Sequence, residues 1–429
     1  MNIILRKIKS VVKTFLQRLF IAMQLYGENG LANHAAACAY GFLLSMAPML
    51  LLLAFFIFYV FNPSPTAITA FIGNIPFFAS IFDERWLSSD FFSIKVSGIS
   101  GIISILSILW AGRILALSMQ RGLKIIFPAE KNRNPITNNL VTIAIETSVI
   151  IFVLIAIVSS RMAFSLYRFF DFMPKTSILQ FITSYTGGKI SYIILLGIAM
   201  FLAYVFIPVS PPRKLSAFRG MLFGIAAYFC TALLLGFIID KARFNLLYGT
   251  LGNMIVLLVN VYFFFYFFFL GAQLSYVIDY FDALLFSKLR RNENTRLIYK
   301  FFYPVGGNLV KYIRYFKKDE IIVSQGDNVE EIYYLLDGEV EILFKTPAGS
   351  SNSAGTLKAG SFFGEMGYLL SEGRTATVKA NTDVAAFALP LSLFDAILKN
   401  DNKLDRVLIE DISRRLKERN EQIVKMNNS

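Results

Sequence analysis

The sequence predicts a multidomain chain, a six-helix transmembrane α bundle followed by a β-barrel or roll with flanking helices. Of its 429 residues 55% are hydrophobic and 15% aromatic, too apolar for an ordinary soluble protein. The excess lies upstream of residue 310, as in residues 261–270, VYFFFYFFFL. Beyond it the apolar residues come in short runs broken by Gly and Asp, the pattern of strands and turns.

Residues 1–27 read as an amphipathic helix lying on a membrane surface. Ile4, Ile8, Val11, Val12, Phe15, Leu19 and Met23 share one helical face, while Arg6, Lys9, Lys13 and Gln17 fall elsewhere. Residues 28–285 form the membrane domain, whose apolar stretches at about 36–61, 97–119, 138–160, 189–209, 217–239 and 252–279 are each long enough, at ~20 residues, to cross the hydrocarbon. An even number puts both termini on one side. Basic groups then set the side: Arg6, Lys7, Lys9, Lys13 and Arg18; Arg121, Lys124, Lys131 and Arg133; Arg213, Lys214 and Arg219; Lys288, Arg290 and Arg291. All four face the cytoplasm under the positive-inside rule. Pro48 and Pro208 are expected to kink their spans. Asn253, Asn260 and Gln273 bond across helices or line a cavity.

Arg113 and Glu146 each lie about eight residues, ~12 Å of helix, from a cytoplasmic span end. They are a candidate membrane polar pair, either a polar pathway or a pair that fixes helix register. A polar linker follows at 286–310, and residues 311–429 form the last domain.

The net charge of +13 is uneven. Residues 309–400 hold nine Lys and Arg against twelve Asp and Glu, so the basicity belongs to the membrane part. Anionic lipid is therefore the expected partner, and no nucleic acid is expected. Two cysteines, Cys38 and Cys230, and one histidine, His34, provide no disulfide framework and no metal site. No phosphate-binding GxxxxGK[ST] loop and no TVGYG ion filter is present. A homo-oligomer is compatible with all of this.

From Lys311 the strings IIVSQGD, IYYLLDGEVEILF, GTLKAGSFFGE, TATVKA and VAAFAL predict about eight strands of a small barrel or roll. After Pro390 the pattern turns helical, first over 391–399 and then from about 403 to 425. The richest chemistry lies at FFGEMGYLLSEGRTATVKA. Phe363, Gly364 and Glu365 end a strand and open a helical turn whose free N–H groups suit a phosphate; Met366 continues it. Glu365 supplies an acceptor for a ribose hydroxyl, and Arg374 a planar cationic fork for a phosphate.

This segment resembles the phosphate-binding cassette of the cyclic-nucleotide-binding domains found in the catabolite activator protein and in protein kinase A regulatory subunits, over about residues 311–425. IVSQGD, LDGEV, the Phe363-Gly364-Glu365 triplet and Arg374-Thr375-Ala376 match in order. The resemblance implies that Glu365 holds the ribose 2′-hydroxyl, that Arg374 pairs with the cyclic phosphate and that Thr375 adds a contact. It also implies that the last helix is a lid with Val407, Leu408, Ile412 and Leu416 on its apolar side. The regulatory ligand is cAMP or cGMP, since Thr375 is compatible with both.

The membrane part resembles the YihY/BrkB family, once labelled ribonuclease BN, over about residues 20–285. AYGFLLSMAPML at 39–50, YVFIP at 204–208, Gly220 to Gly224, Tyr248-Gly249 and Gly271-Ala272-Gln273 carry the match. This implies a bacterial-type inner-membrane protein. One histidine and no carboxylate cluster argue against a nuclease, and no enzyme activity is expected. The leading expectation is a transporter of a lipid-like or small solute biased by cyclic nucleotide. The alternatives are a membrane-anchored sensor that recruits a partner and, disfavoured, a membrane-bound hydrolase.

Overall fold

The computed structural model describes residues 2–45, 113–129, 133–157, 185–238, 250–290, 308–345, 351–401, 404, 408–410 and 412–414. Two compact units emerge: Arg18–Asp279, and Tyr280–Ser429 together with Met1–Gln17. The amphipathic helix α1 (Asn2–Glu28) thus contributes residues to both. Its Val11, Val12, Phe15, Leu16 and Met23 are exposed, whereas Ile21 and Ala22 are fully buried.

The unit Arg18–Asp279 is helical. Residues 31–45 (α2) and 113–126 (α3) are helical over their described lengths, followed by α4 (Pro135–Ile157), α5 (Tyr185–Phe206), α6 (Lys214–Ile238) and α7 (Thr250–Asp279). Two segments, Lys214–Phe237 and Ile255–Asp279, are long and apolar enough to cross a membrane; Pro135–Ile145 and Ile193–Phe206 are shorter apolar helices. Of the six expected spans, 36–61 and 97–119 fall mostly outside the described residues.

Helices α6 and α7 meet closely because glycines face each other. A Cβ on Gly271 would lie 2.6 Å from the Gly220 carbonyl oxygen and 2.8 Å from the Tyr204 hydroxyl. Buried Tyr204 donates to the Phe268 carbonyl at 2.6 Å, which satisfies a hydroxyl in an otherwise apolar core. Gln273 accepts from Asn29 at 3.4 Å, a bond between segments as expected, while Asn260 donates to the Val256 carbonyl of its own helix. The Asn253 side chain lies outside the described residues, as does Pro48.

Pro208 does not kink α5. The helix ends at Phe206, and Arg133 donates to the carbonyls of Phe206, Ile207 and Pro208 at 2.9–3.2 Å. A cation on the final carbonyls is a helix C-cap that sequence spacing does not disclose. Asp279 acts at the opposite kind of end. It accepts from the backbone N–H and Nε of Arg213 and from Ser216 Oγ at 2.6–2.7 Å, closing the start of α6. Arg113 is exposed and donates to Asn139 at 3.5 Å. The Glu146 side chain, and with it the expected pair, lies outside the described residues.

The second unit opens earlier than the sequence suggests. Residues 281–290, read as the end of the membrane domain and the start of a polar linker, form helix α8 (Phe281–Arg290). Asp282 in its first turn and Lys288 and Arg290 in its last complement the helix dipole. Phe281, Leu284, Leu285 and Phe286 are buried. Phe286 packs its ring edge against Tyr334 and Phe387 at 5.3 and 5.5 Å and lies 6.3 Å from Phe362. A 3₁₀ turn at Asn308–Tyr312 is tied back to α8: Lys311 and Tyr312 both donate to Asp282, at 2.7 and 2.9 Å.

Among the described residues eight strands follow, the number the sequence predicts. They are β1 (Ile313–Phe316), β2 (Ile321–Val323), β3 (Glu331–Asp337), β4 (Glu339–Lys345), β5 (Ser351–Lys358), β6 (Phe362–Phe363), β7 (Thr377–Ala380) and β8 (Val384–Pro390). They pair antiparallel in two four-stranded sheets, β1-β8-β3-β6 and β2-β7-β4-β5. Alternate inward residues, Val323, Leu335, Val340, Phe363, Val378, Ala380, Val384 and Ala386, form one core. Helix α9 (Glu365–Leu369) lies between β6 and β7, and α10 (Leu391–Asn400) follows β8. Residues 404, 408–410 and 412–414 are helical, with Leu404 and Leu408 buried. Ile412 is half-buried; Val407 and Leu416 lie outside the described residues.

Candidate functional site

The site is built where β6 stops. Phe362 and Phe363 pair with Tyr334 and Tyr333 of β3, and both phenylalanines are buried. The chain then turns through Gly364 at a φ of 78° into the first residue of α9, Glu365. A positive φ suits glycine because it has no Cβ. Glu365 is 1% exposed, so its carboxylate is held inside the fold rather than on its surface.

Arg374 comes back to this turn from the far end of α9. It is buried, and its Nη1 donates to the Gly364 carbonyl at 3.0 Å while Nη2 donates to the Glu331 carbonyl at 2.7 Å. Its Cζ lies 5.9 Å from the centre of the Tyr333 ring. That ring stacks on Phe363 at 5.0 Å with planes 7° apart. Burial pushes the guanidinium below its ordinary pKa, and Tyr333, Asp327, Glu331 and Glu330 act against that shift. An arginine stays cationic under such opposing influences.

The backbone of Arg374 is fixed as firmly as its side chain. Its N–H donates to the Asp327 carbonyl, and its own carbonyl accepts from Gly326, both at 2.8 Å. The Gly-Asp turn of IVSQGD therefore clamps the cassette's far end. Thr377 is buried and accepts from Gln325 N–H at 3.0 Å. Gly367 and Gly373 close the loop, since a Cβ on Gly367 would lie 2.7 Å from the Gly373 carbonyl oxygen.

The expected residues thus converge. Arg374 bonds the carbonyl of the residue just before Glu365, although nine positions separate the two in the chain. Met366, Thr375 and Ala376 are half-buried around them. A guanidinium has five N–H groups, and the two carbonyls take two of them. A buried carboxylate on the residue that follows the carbonyl holding the cationic fork suits a ligand that carries hydroxyls next to a phosphate.

Several participants escaped sequence reading. Glu331 contributes its carbonyl rather than its side chain, so residue identity held no signal. Tyr333 supports Arg374 and is legible only as one of two tyrosines in a strand. Tyr368 of α9 donates a hydrogen bond to Asp395 of α10 and sets its ring edge on Phe394 at 5.6 Å. Among the described residues no group of His, Cys, Asp and Glu could hold a metal ion.

Comparison with known proteins finds two families in the chain. Residues 313–401 match the family described as Cyclic nucleotide-binding domain, and residues 22–294 match the family described as Virulence factor BrkB. The chain is 34% identical over 96 residues to a cAMP-dependent protein kinase regulatory subunit of Candida albicans, covering 22% of this chain and 20% of that protein. It is 30% identical over 108 residues to the cAMP-activated global transcriptional regulator Vfr of Pseudomonas aeruginosa, covering 24% and 50%. It therefore spans a fifth of the first of these relatives and half of the second. The crystal structure of Thermus thermophilus catabolite activator protein is 21% identical, covers 32% of this chain and 63% of that one, and has a TM-score of 0.27. With the family match spanning 22–294, more than half of its length, the chain belongs to the BrkB family and carries a C-terminal cyclic nucleotide-binding domain.

Proposed function

We propose that this chain is a multi-pass inner-membrane protein whose cytoplasmic C-terminal domain binds cAMP or cGMP and thereby biases transport of a lipid-like or small solute. One observation carries the ligand reading. Arg374 is anchored by the carbonyls of Glu331 and of Gly364, the residue just before the buried Glu365. In this reading Arg374 takes the cyclic phosphate, Glu365 the ribose hydroxyl, and Gly364, Met366, Thr375 and Ala376 line the cradle. Relatives named for cAMP favour that nucleotide.

The membrane reading is supported by the BrkB family, by two helices of spanning length and by the basic groups read from the sequence. Exposed Val11, Val12, Phe15 and Leu16 on α1 suit contact with lipid. No catalytic reaction is assigned.

Regulation of this kind requires different nucleotide affinity in two states of the membrane part. Proteoliposomes holding the full chain and an NBD-labelled phospholipid, with glycerol as the small-solute probe, test it. Flux of at least one probe above that of protein-free liposomes, changed by saturating cAMP, is expected. Flux identical with empty and saturated nucleotide sites refutes the regulation.

A further inference from the structure

Helix α10 is held near its middle and at its C-terminal end by acidic residues. Asp395 near its middle accepts from Tyr368 of the cassette helix α9. Asp401, the residue that caps its C-terminal end, is 0% exposed and pairs with Arg290 at 2.9 Å; the Arg290 side chain is itself only 12% exposed. Arg290 is the last residue of α8, and α8 begins two positions after α7 ends. The Leu404 N–H, the first described contact of the lid helix, bonds the Asp401 carbonyl at 2.8 Å. Asp401 therefore joins the end of α10, the helical residue Leu404 and the helix that follows α7 in the chain.

A second, apolar contact reaches α8 from the cassette. Phe362 directly precedes the Phe363-Gly364-Glu365 triplet, and its ring lies 6.3 Å from Phe286 of α8 and 5.9 Å from Phe394 of α10. This contact packs α8 by shape. The buried ion pair adds a directional requirement. Its charges lose water and regain the cost only in good geometry, and removing one partner leaves the other uncompensated. Exposed pairs elsewhere in the unit, such as Lys317–Asp383 with side chains 84% and 68% exposed, have no such character.

We propose that Arg290 and Asp401 are positioning residues for the nucleotide response, the pair through which a change at the cassette reaches α8 by way of Tyr368, Asp395 and the α10 rod. The proposal rests on the cyclic-nucleotide reading of the Glu365–Arg374 site and adds the route by which that site is heard. Neither residue touches nucleotide in this account. Both fix where the C-terminal end of α10 sits relative to α8.

Hydrogen–deuterium exchange on the full chain in lipid nanodiscs, with and without saturating cAMP, tests it. In the wild type, cAMP should slow exchange at residues 363–376 by about tenfold or more and change it at both 281–290 and 401–410. In Asp401→Asn the cassette should still be protected, while the change at 281–290 is lost. Arg290→Lys should retain most of that change. The double exchange Arg290→Asp with Asp401→Arg should recover it, which a loss of folding would not allow. If 281–290 responds in Asp401→Asn as in the wild type, the proposal is overturned. It is equally overturned if the double exchange binds cAMP at the cassette without recovering the α8 response. Absence of protection at 363–376 in the wild type would instead remove the nucleotide reading, and the route with it.

Discussion

Replacing Gly364 by alanine separates backbone strain from damage to the site. At its φ of 78° any L residue costs about 1–2 kcal/mol. The added Cβ would also press on Arg374 Nη1 closer than real Cβ contacts come, and that nitrogen holds the Gly364 carbonyl at 3.0 Å. Arg374 must swing away and give up a charge-assisted bond worth about 1.5–3 kcal/mol. Part of this returns when the guanidinium regains water, so the fold should lose about 1–3 kcal/mol. Nucleotide affinity should fall at least about tenfold, the equivalent of ~1.4 kcal/mol. Gly360→Ala is the matched comparison, because Gly360 has a φ of 95° and a Cβ there meets nothing within 4 Å. It should cost strain alone. Calorimetric titration with cAMP, paired with thermal melts followed by circular dichroism, reads both quantities. Wild-type affinity in Gly364→Ala, or an equal affinity loss in Gly360→Ala, would refute the reasoning.

Other perturbations probe the surrounding structure. Phe286→Ala empties a site among Tyr334, Phe362 and Phe387 and should cost about 3–5 kcal/mol of C-terminal unit stability in denaturant titration. Tyr368 has its pKa raised above 10.0, first by the bond to Asp395 and then by burial. The stability it contributes is complete below pH 10 and is lost as pH rises through the raised value. Melting temperature should therefore fall more steeply above pH 10 in the wild type than in Tyr368→Phe. A Cβ on Gly220 would overlap Ser275 Oγ and the Gly271 carbonyl. Gly220→Val should accordingly prise α6 from α7 and lower the melting temperature of the membrane unit, measured in detergent.

The C-terminal fold was largely legible because its signals are local. Strand alternation, the Gly-Asp turn and the cassette each occupy a few adjacent residues, and eight strands appear where they were expected. What was not legible depends on partners distant in sequence. Helix α8 reads as the end of the membrane domain and the start of a linker because Asp282, Lys288 and Arg290 interrupt its apolar residues, and its apolar face makes sense only against Tyr334 and Phe387. The carbonyls that anchor Arg374 carry no side-chain signature at all. Pro208 reads as a kink because spacing does not say where α5 stops, and Arg133, 73 positions from Phe206, is what finishes it. In the membrane part apolar periodicity marks spans but not helix ends, and the Arg113–Glu146 pair needed a geometry outside the described residues.

Calorimetry of cAMP binding to the full chain in nanodiscs, wild type against Arg374→Ala, tests the central claim most directly. The account predicts one cAMP bound per chain in the wild type, and binding lost in the variant while its circular dichroism spectrum is retained. A wild type that takes up neither cAMP nor cGMP, or an Arg374→Ala chain that binds as tightly as the wild type, would contradict it.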